Sequence, residues 1–123
     1  MASVEDYLSA KQQELGRRYR ADCGEIAKQV AELLKSTGED PYLIALHGTL
    51  KNPNTNSRWP LIPAAYSNQL RPVKFDGHYV CAASEITYDP IIGYPLPVEE
   101  YLDRAFTVRP ALVERLTFGE AYL

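Results

Sequence analysis

The sequence has few cysteines, almost no excess of charge and no long apolar run. Its 123 residues include only two cysteines, Cys23 and Cys81, which is too few for the disulfide framework of a small secreted domain. The formal net charge of −3 offers no basic excess to attract nucleic acid. No apolar run approaches the roughly 20 residues that cross a bilayer. Charges are spread through residues 1–20, which lack the apolar core of a signal peptide. We therefore expect a soluble protein in a reducing compartment that binds neither nucleic acid nor a membrane.

The N-terminal part of the chain carries two helical patterns. Ser3 and Asp6 fit a capping box, and the helix that they begin is expected to reach about Gly16. A stronger amphipathic pattern lies between Asp22, a helix N-cap, and Gly38, a C-terminal glycine. Its apolar face is formed by Ile26, Ala27, Val30, Leu33 and Leu34. These spacings predict two consecutive helices.

The remainder of the chain reads mainly as strands. Residues 41–48 form a short apolar run typical of a buried strand, and residues 51–72 read as a long loop that contains four prolines. Residues 73–93 read as a hairpin, and a third helix is expected from Pro97. Residues 109–116 are predicted to form one more short helix. Helices followed by a mostly antiparallel sheet indicate a single α+β domain over residues 1–123.

Cys23 stands at the start of the second predicted helix, on its buried face. The free N–H groups and the dipole of a helix N-terminus favour a thiolate, and the same N–H groups can hold the oxyanion of a tetrahedral intermediate. This position suits a nucleophile. The alternative is a small apolar side chain packed in the core, as free cysteines commonly are.

His78 and Asp89 are predicted to face each other across the hairpin. If the turn is centred between Ala83 and Ser84, the two residues pair directly and project from the same face. An aspartate beside a histidine fixes the imidazole tautomer and stabilises the imidazolium. The alternatives are an exposed strand start for His78 and a turn-initiating Asp-Pro for Asp89.

Two other residues compete with this assignment. His47 ends the first strand and is an alternative base, although a strand-end role is the simpler interpretation. Cys81 lies three residues after His78, on the other face of the strand, and is expected in the core. The chain thus has two cysteines, Cys23 and Cys81, and two histidines, His47 and His78. Their spacing in the sequence does not suit the ligands of one zinc site. We expect neither a metal nor a cofactor.

The order of Cys23 at a helix start, His78 on a strand and Asp89 after the next strand resembles the papain-like cysteine peptidase superfamily. The stretches "DCGEIA", "DGHYV" and "YDPIIGYPLPVEEYL" are most similar to the papain-fold toxin domains of bacterial polymorphic toxins, and the similarity covers roughly residues 15–105. One departure concerns the glutamine that such peptidases keep shortly before the cysteine. Here Gln12 and Gln13 lie well upstream and Arg17 to Arg20 occupy the expected place, which leaves the second oxyanion donor unassigned.

The resemblance implies a papain-like fold with Cys23 as nucleophile, His78 as general base and acid, and Asp89 as the residue that orients His78. It implies a hydrolase or acyltransferase that acts on a peptide bond or a glutamine side-chain amide of a protein. It further implies a toxin or effector, cytoplasmic or delivered into a target cell, with an immunity protein as partner. The alternative is a catalytically silent domain that binds proteins.

Trp59 lies in the long loop, outside any periodic apolar pattern. We expect it to bind substrate as one wall of the groove. The alternative is a side chain folded over the core.

Overall fold

The structure is a computed structural model that describes residues 3–17, 23–66 and 74–117. Its elements are α1 (Val4–Arg17), α2 (Cys23–Ser36), β1 (Tyr42–His47), a short 3-10 helix (Ala64–Tyr66), β2 (His78–Ala83), β3 (Ile86–Tyr88), β4 (Leu96–Pro97), α3 (Val98–Arg104) and β5 (Leu112–Leu116). The strands form one antiparallel sheet in the order β4-β3-β2-β1-β5. This architecture confirms the predicted α+β class. No helix in the described ranges has the length and apolar character needed to cross a membrane.

The start of α1 and the end of α2 follow their sequence signals. The Asp6 N–H donates to Ser3 Oγ at 3.1 Å, and the Ser3 N–H donates to the Asp6 carboxylate at 3.5 Å, which is the reciprocal pattern of a capping box. Gly38 has a φ of 85°, and the Glu39 N–H donates to the Leu34 carbonyl at 3.1 Å. The left-handed glycine lets the chain turn out of α2 while a free carbonyl is satisfied.

The sheet separates two apolar layers. Because side chains alternate along a strand, one face of β1 and β2 packs on α1 and α2, and the other packs on α3 and the loops. The first layer contains Leu8, Ala27, Val30, Ala31, Leu34, Leu43, Cys81 and Ala83. The second contains Ile44, Leu46, Leu61, Val80, Ala82, Ile91, Leu96, Val98, Tyr101, Leu102, Ala105 and Phe106. We call these sides the α2 face and the α3 face.

The direction of α2 follows from its short connection to β1. Only residues 37–41 join the two elements, and Ser84 Oγ donates to Glu39 at 3.4 Å, so α2 ends where β2 also ends. A helix of 14 residues is about 21 Å long, close to the roughly 20 Å of the six-residue strand β2. The N-terminus of α2 therefore lies toward the end of the sheet where β1 finishes at His47 and β2 begins at His78. We call this the site end of the sheet.

The prediction of a short helix over residues 109–116 was wrong. Leu112–Leu116 is β5, which pairs with β1 from Leu43↔Leu116 to His47↔Leu112, and the Ala111 N–H donates to the His47 carbonyl at 2.9 Å. Without β5, one edge of the buried strand β1 would have no backbone partners. Hydrogen bonding of the β1 backbone therefore outweighs the weak helical pattern of residues 109–116.

The predicted hairpin register also needs correction. The turn residues are Ser84 and Glu85, with φ values of 52° and 63°, as in a two-residue turn with both central residues left-handed. Ala83 consequently pairs with Ile86, and His78 does not pair directly with Asp89. The register differs from the predicted one by two residues. An even shift keeps every side chain on its face, so both residues still belong to one side of the sheet.

Cys81 is fully buried on the α2 face, as expected for a core residue. Burial raises the pKa of its thiol to about 12, against a smaller opposing effect of Lys35. We predict that iodoacetamide leaves Cys81 unmodified in the folded protein at mildly alkaline pH, because the reactive thiolate is scarce. Mass spectrometry of the Cys81 peptide should show modification only after unfolding in urea. Equal rates with and without urea would contradict this assignment.

Candidate functional site

His78 and Asp89 meet at the site end of the sheet. His78 Nε2 lies 2.7 Å from Asp89 Oδ2, and the two residues are only 5% and 4% exposed. Extending the pairing of Cys81 with Tyr88 places Asp89 beside Val80. His78 is therefore its diagonal neighbour, within reach of a longer side chain. The two side chains that the sequence singled out are thus joined, through a register that the sequence did not reveal.

The Asp89 carboxylate accepts hydrogen bonds from three parts of the chain. Oδ2 accepts from the hydroxyl of Tyr101 at 2.5 Å as well as facing His78, and Oδ1 accepts from the Ile91 N–H at 3.1 Å. The Asp89 carbonyl also accepts from the N–H groups of Ile92 and Gly93, each at 3.0 Å. These contacts fix both the backbone turn after β3 and the direction of the carboxylate.

Aromatic side chains enclose the imidazole. The Phe75 ring stacks on His78 with centroids 4.8 Å apart and planes 10° from parallel. Phe106 meets His78 edge-on at 5.7 Å, and Tyr101 meets Phe106 edge-on at 6.2 Å. Apolar walls hold the ring in one orientation and strengthen its interaction with the carboxylate, because little water competes.

The contacts of Asp89 indicate which tautomer the neutral imidazole adopts. A carboxylate only accepts, so Nε2 carries the hydrogen that points at Oδ2. Nδ1 then holds the basic lone pair of the ring. Any proton that His78 takes from another group therefore goes to Nδ1.

Cys23 is the first residue of α2, but its side chain lies outside the described part of the structure. The N-terminus of α2 points toward the site end, where His78 and Asp89 also lie. His78 belongs to the α3 face, whereas α2 covers the opposite face. To contact the His78 ring, the Cys23 thiol would therefore have to reach around the end of the sheet where β2 begins.

His47 lies at the same end of the sheet on the α2 face. It follows Leu43 and Ala45 in the alternation of β1, and its ring packs against Gly77, where an added Cβ would come within 3.3 Å of His47 Nδ1. Among the described residues, no carboxylate lies within ion-pair distance of His47. His47 thus lies on the sheet face that α2 covers but, among the described residues, lacks the orienting carboxylate that His78 has.

Trp59 is 57% exposed, so its side chain is not buried in the core. It lines a cavity of about 540 Å³ formed by the segments after β1 and before β2 and β5, all at the site end. The role of Trp59 in binding a substrate stays a prediction.

Sequence reasoning missed Tyr101, Phe75 and Phe106. Tyr101 lies on the buried side of α3 with Val98 and Leu102, a position that the helical pattern alone assigns to packing. Its hydroxyl could have been noticed, since a buried tyrosine hydroxyl usually requires a partner. The two phenylalanines lie outside helices and strands, and no periodic pattern marks them. Within the described ranges, no group of three or more His, Cys, Asp and Glu side chains is arranged to hold a metal ion.

Comparisons of the chain with protein-family models, with curated proteins and with solved structures found no match.

The three hydrogen bonds to Asp89 lead to a prediction about stability. Tyr101→Phe should lower the free energy of unfolding by about 1–3 kcal/mol, because it removes a buried donor to a carboxylate. Asp89→Ala should cost more, about 3–5 kcal/mol, since it leaves several buried polar groups of the network unsatisfied. Urea denaturation measures both losses.

Tyr79→Phe is the matched control, because Tyr79 is 39% exposed on the same sheet. Its change should stay within about 0.5 kcal/mol. Equal losses for Tyr101→Phe and Tyr79→Phe would show that the buried hydroxyl contributes nothing.

Proposed function

We propose that this protein is a cysteine-dependent hydrolase or acyltransferase that acts on a peptide bond or a glutamine side-chain amide of a protein. Cys23 is the nucleophile, His78 the general base and acid, and Asp89 the residue that orients His78. The observation that carries the proposal is the buried hydrogen bond between His78 and Asp89, at the end of the sheet toward which the N-terminus of α2 points. Because His78 Nε2 faces Asp89, proton transfer would use Nδ1, which is a buried atom.

The reaction begins with transfer of the Cys23 thiol proton to His78 Nδ1. The thiolate attacks the carbonyl carbon of the substrate and forms a tetrahedral oxyanion. The imidazolium then protonates the leaving nitrogen, the C–N bond breaks, and a thioester remains on Cys23. Water, or an amine in the transferase reaction, gives a proton to His78 and attacks the thioester, which releases the acyl group and restores the thiol. Asp89 stabilises the imidazolium through both halves of the reaction.

The oxyanion requires hydrogen-bond donors that are in place before the reaction. The positive end of the α2 dipole, at the first turn of the helix, is the first source of stabilisation. Gln12 is the candidate for the second. Its Nε2 donates to the Ile92 carbonyl at 2.9 Å, which brings its amide to the loop that carries Asp89, and the amide has a second N–H to donate.

A catalytically silent, protein-binding domain is the second candidate function. The observation that favours it is the position of the His78 ring, which is almost fully buried among Phe75, Phe106 and Tyr101 on the face opposite α2. In that case the contacts of His78 and Asp89 stabilise the core, and Cys23 is an ordinary thiol.

Alkylation of Cys23 separates the two functions without knowledge of the substrate. We expect iodoacetamide to modify Cys23 at a pH well below that of an ordinary thiol, because His78 and the start of α2 stabilise the thiolate. His78→Ala and Asp89→Asn should each raise the midpoint of the pH profile by about one unit or more. Mass spectrometry of the Cys23 and Cys81 peptides follows both cysteines in one sample, with Cys81 as the unreactive reference.

His47→Ala is the control for the choice of base. It removes an imidazole from the same end of the sheet and should leave the Cys23 profile unchanged. A profile that responds to His47→Ala and not to His78→Ala would assign the base to His47 and overturn the role of Asp89. An ordinary profile for Cys23 in the unmodified protein would favour the silent domain.

A further inference from the structure

The cavity beside Trp59 combines an apolar wall with a basic rim. It lies between the segment that follows β1 and the segment that precedes β5, and it has a volume of about 540 Å³, the size of a pocket for a small ligand or a few side chains. Trp59, Leu61, Ile62 and Val108 supply the apolar wall. Trp59 and Val108 are 57% and 67% exposed. Exposed apolar side chains gathered in one concave surface commonly mark a binding site.

Backbone contacts hold this wall in place. The Trp59 N–H donates to the Thr49 carbonyl at 2.7 Å, and Leu61 and Phe75 exchange two backbone hydrogen bonds of 2.8 Å. The Arg58 guanidinium donates to the Gly48 carbonyl at 2.7 Å. A Cβ on Gly48 would overlap the carbonyl oxygen of Trp59, so only glycine permits this close approach. The wall is thus formed before any ligand binds, which lowers the entropic cost of binding.

Within the described part of the chain, the charged side chains that line the cavity are all basic, although the chain has a net charge of −3. Arg109 is already paired with Glu99 at 2.9 Å and with Asp103. Lys51 and Lys74 make no ion pair with any described residue. Lys51 Nζ lies over the Trp59 ring, 5.0 Å from its centroid, so a cation–π contact holds this positive charge beside the apolar wall.

We propose that this groove binds an acidic segment of the protein substrate, with an apolar side chain against Trp59 and carboxylates beside Lys51 and Lys74. The groove lies at the site end of the sheet, together with His78, Asp89 and the start of α2. A segment bound there would be held next to the reacting amide. That the segment belongs to a substrate rests on the proposed function, whereas the binding of an acidic peptide does not.

The chemistry of the groove favours a peptide over single-stranded nucleic acid. Nucleic acid usually requires a basic channel that follows the phosphates and several aromatic rings for stacked bases. Among the described residues, this cavity offers one aromatic side chain and two lysines without an ion pair, in a chain that is negative overall. Alternating acidic and apolar side chains match its rim and its wall.

Trp59 is the only tryptophan of the chain, so its fluorescence reports directly on the groove. The probe is a short blocked peptide of alternating glutamate and leucine, added to the Cys23→Ser variant so that no turnover interferes. We expect a saturable change in Trp59 fluorescence that weakens as salt is added. The matched peptide with glutamine in place of glutamate should bind about tenfold more weakly, which corresponds to about 1.4 kcal/mol.

Variants of the groove test the assigned contacts. The double variant Lys51→Gln with Lys74→Gln should also weaken the acidic peptide about tenfold, while Lys28→Gln, on the exposed face of α2, should leave binding unchanged. Trp59→Ala should abolish binding in calorimetry with little change in melting temperature, since its side chain is largely exposed.

Equal affinity for the glutamate and glutamine peptides would overturn the proposal, as would tighter binding of a thymidine oligonucleotide than of the peptide. Either result is independent of the proposed chemistry, because the reactivity of Cys23 is measured separately by alkylation. Binding of the acidic peptide with an unreactive Cys23 would support the groove and contradict the enzyme.

Discussion

The buried carboxylate of Asp89 constrains more of this structure than any other single group. A negative charge away from water is tolerated only when donors surround it, and here the donors come from β2, from α3 and from the turn after β3. Each donor ties its element to the same point. The position of α3 over the sheet, the path of residues 89–93 and the orientation of His78 therefore depend on one another.

The sheet determines where this cluster lies relative to the rest of the molecule. The short connection between α2 and β1 makes the two elements antiparallel, so the start of α2 lies at the end of the sheet where β2 begins. Loops after β1 and before β5 open at that same end because β1 pairs with both β2 and β5. The start of α2, the histidine with its aspartate and the groove beside Trp59 are thus gathered at one end by the short α2–β1 connection together with the strand order.

Local signals were read correctly where one residue determines one local geometry. Ser3, Asp6 and Gly38 act through hydrogen bonds within a few residues, so their roles are visible in the sequence. The prediction failed for residues 109–116, whose strand exists because β1 needs a second partner. It failed again at Ser84 and Glu85, where the dipeptide lacks the glycine or asparagine that usually marks a left-handed turn.

The sequence by itself determined the α+β class, the start of the first helix, the end of the second, the burial of Cys81 and the choice of His78 and Asp89 as a pair. These follow from periodicity and from short-range hydrogen bonding, which are encoded in neighbouring residues. Only the tertiary structure decided that Tyr101 shares the Asp89 carboxylate, that Phe75 and Phe106 enclose the imidazole and that Lys51 and Lys74 flank an exposed Trp59. Those contacts join residues that are distant in the chain, and they exist because a buried charge requires donors and a sheet brings its loops together.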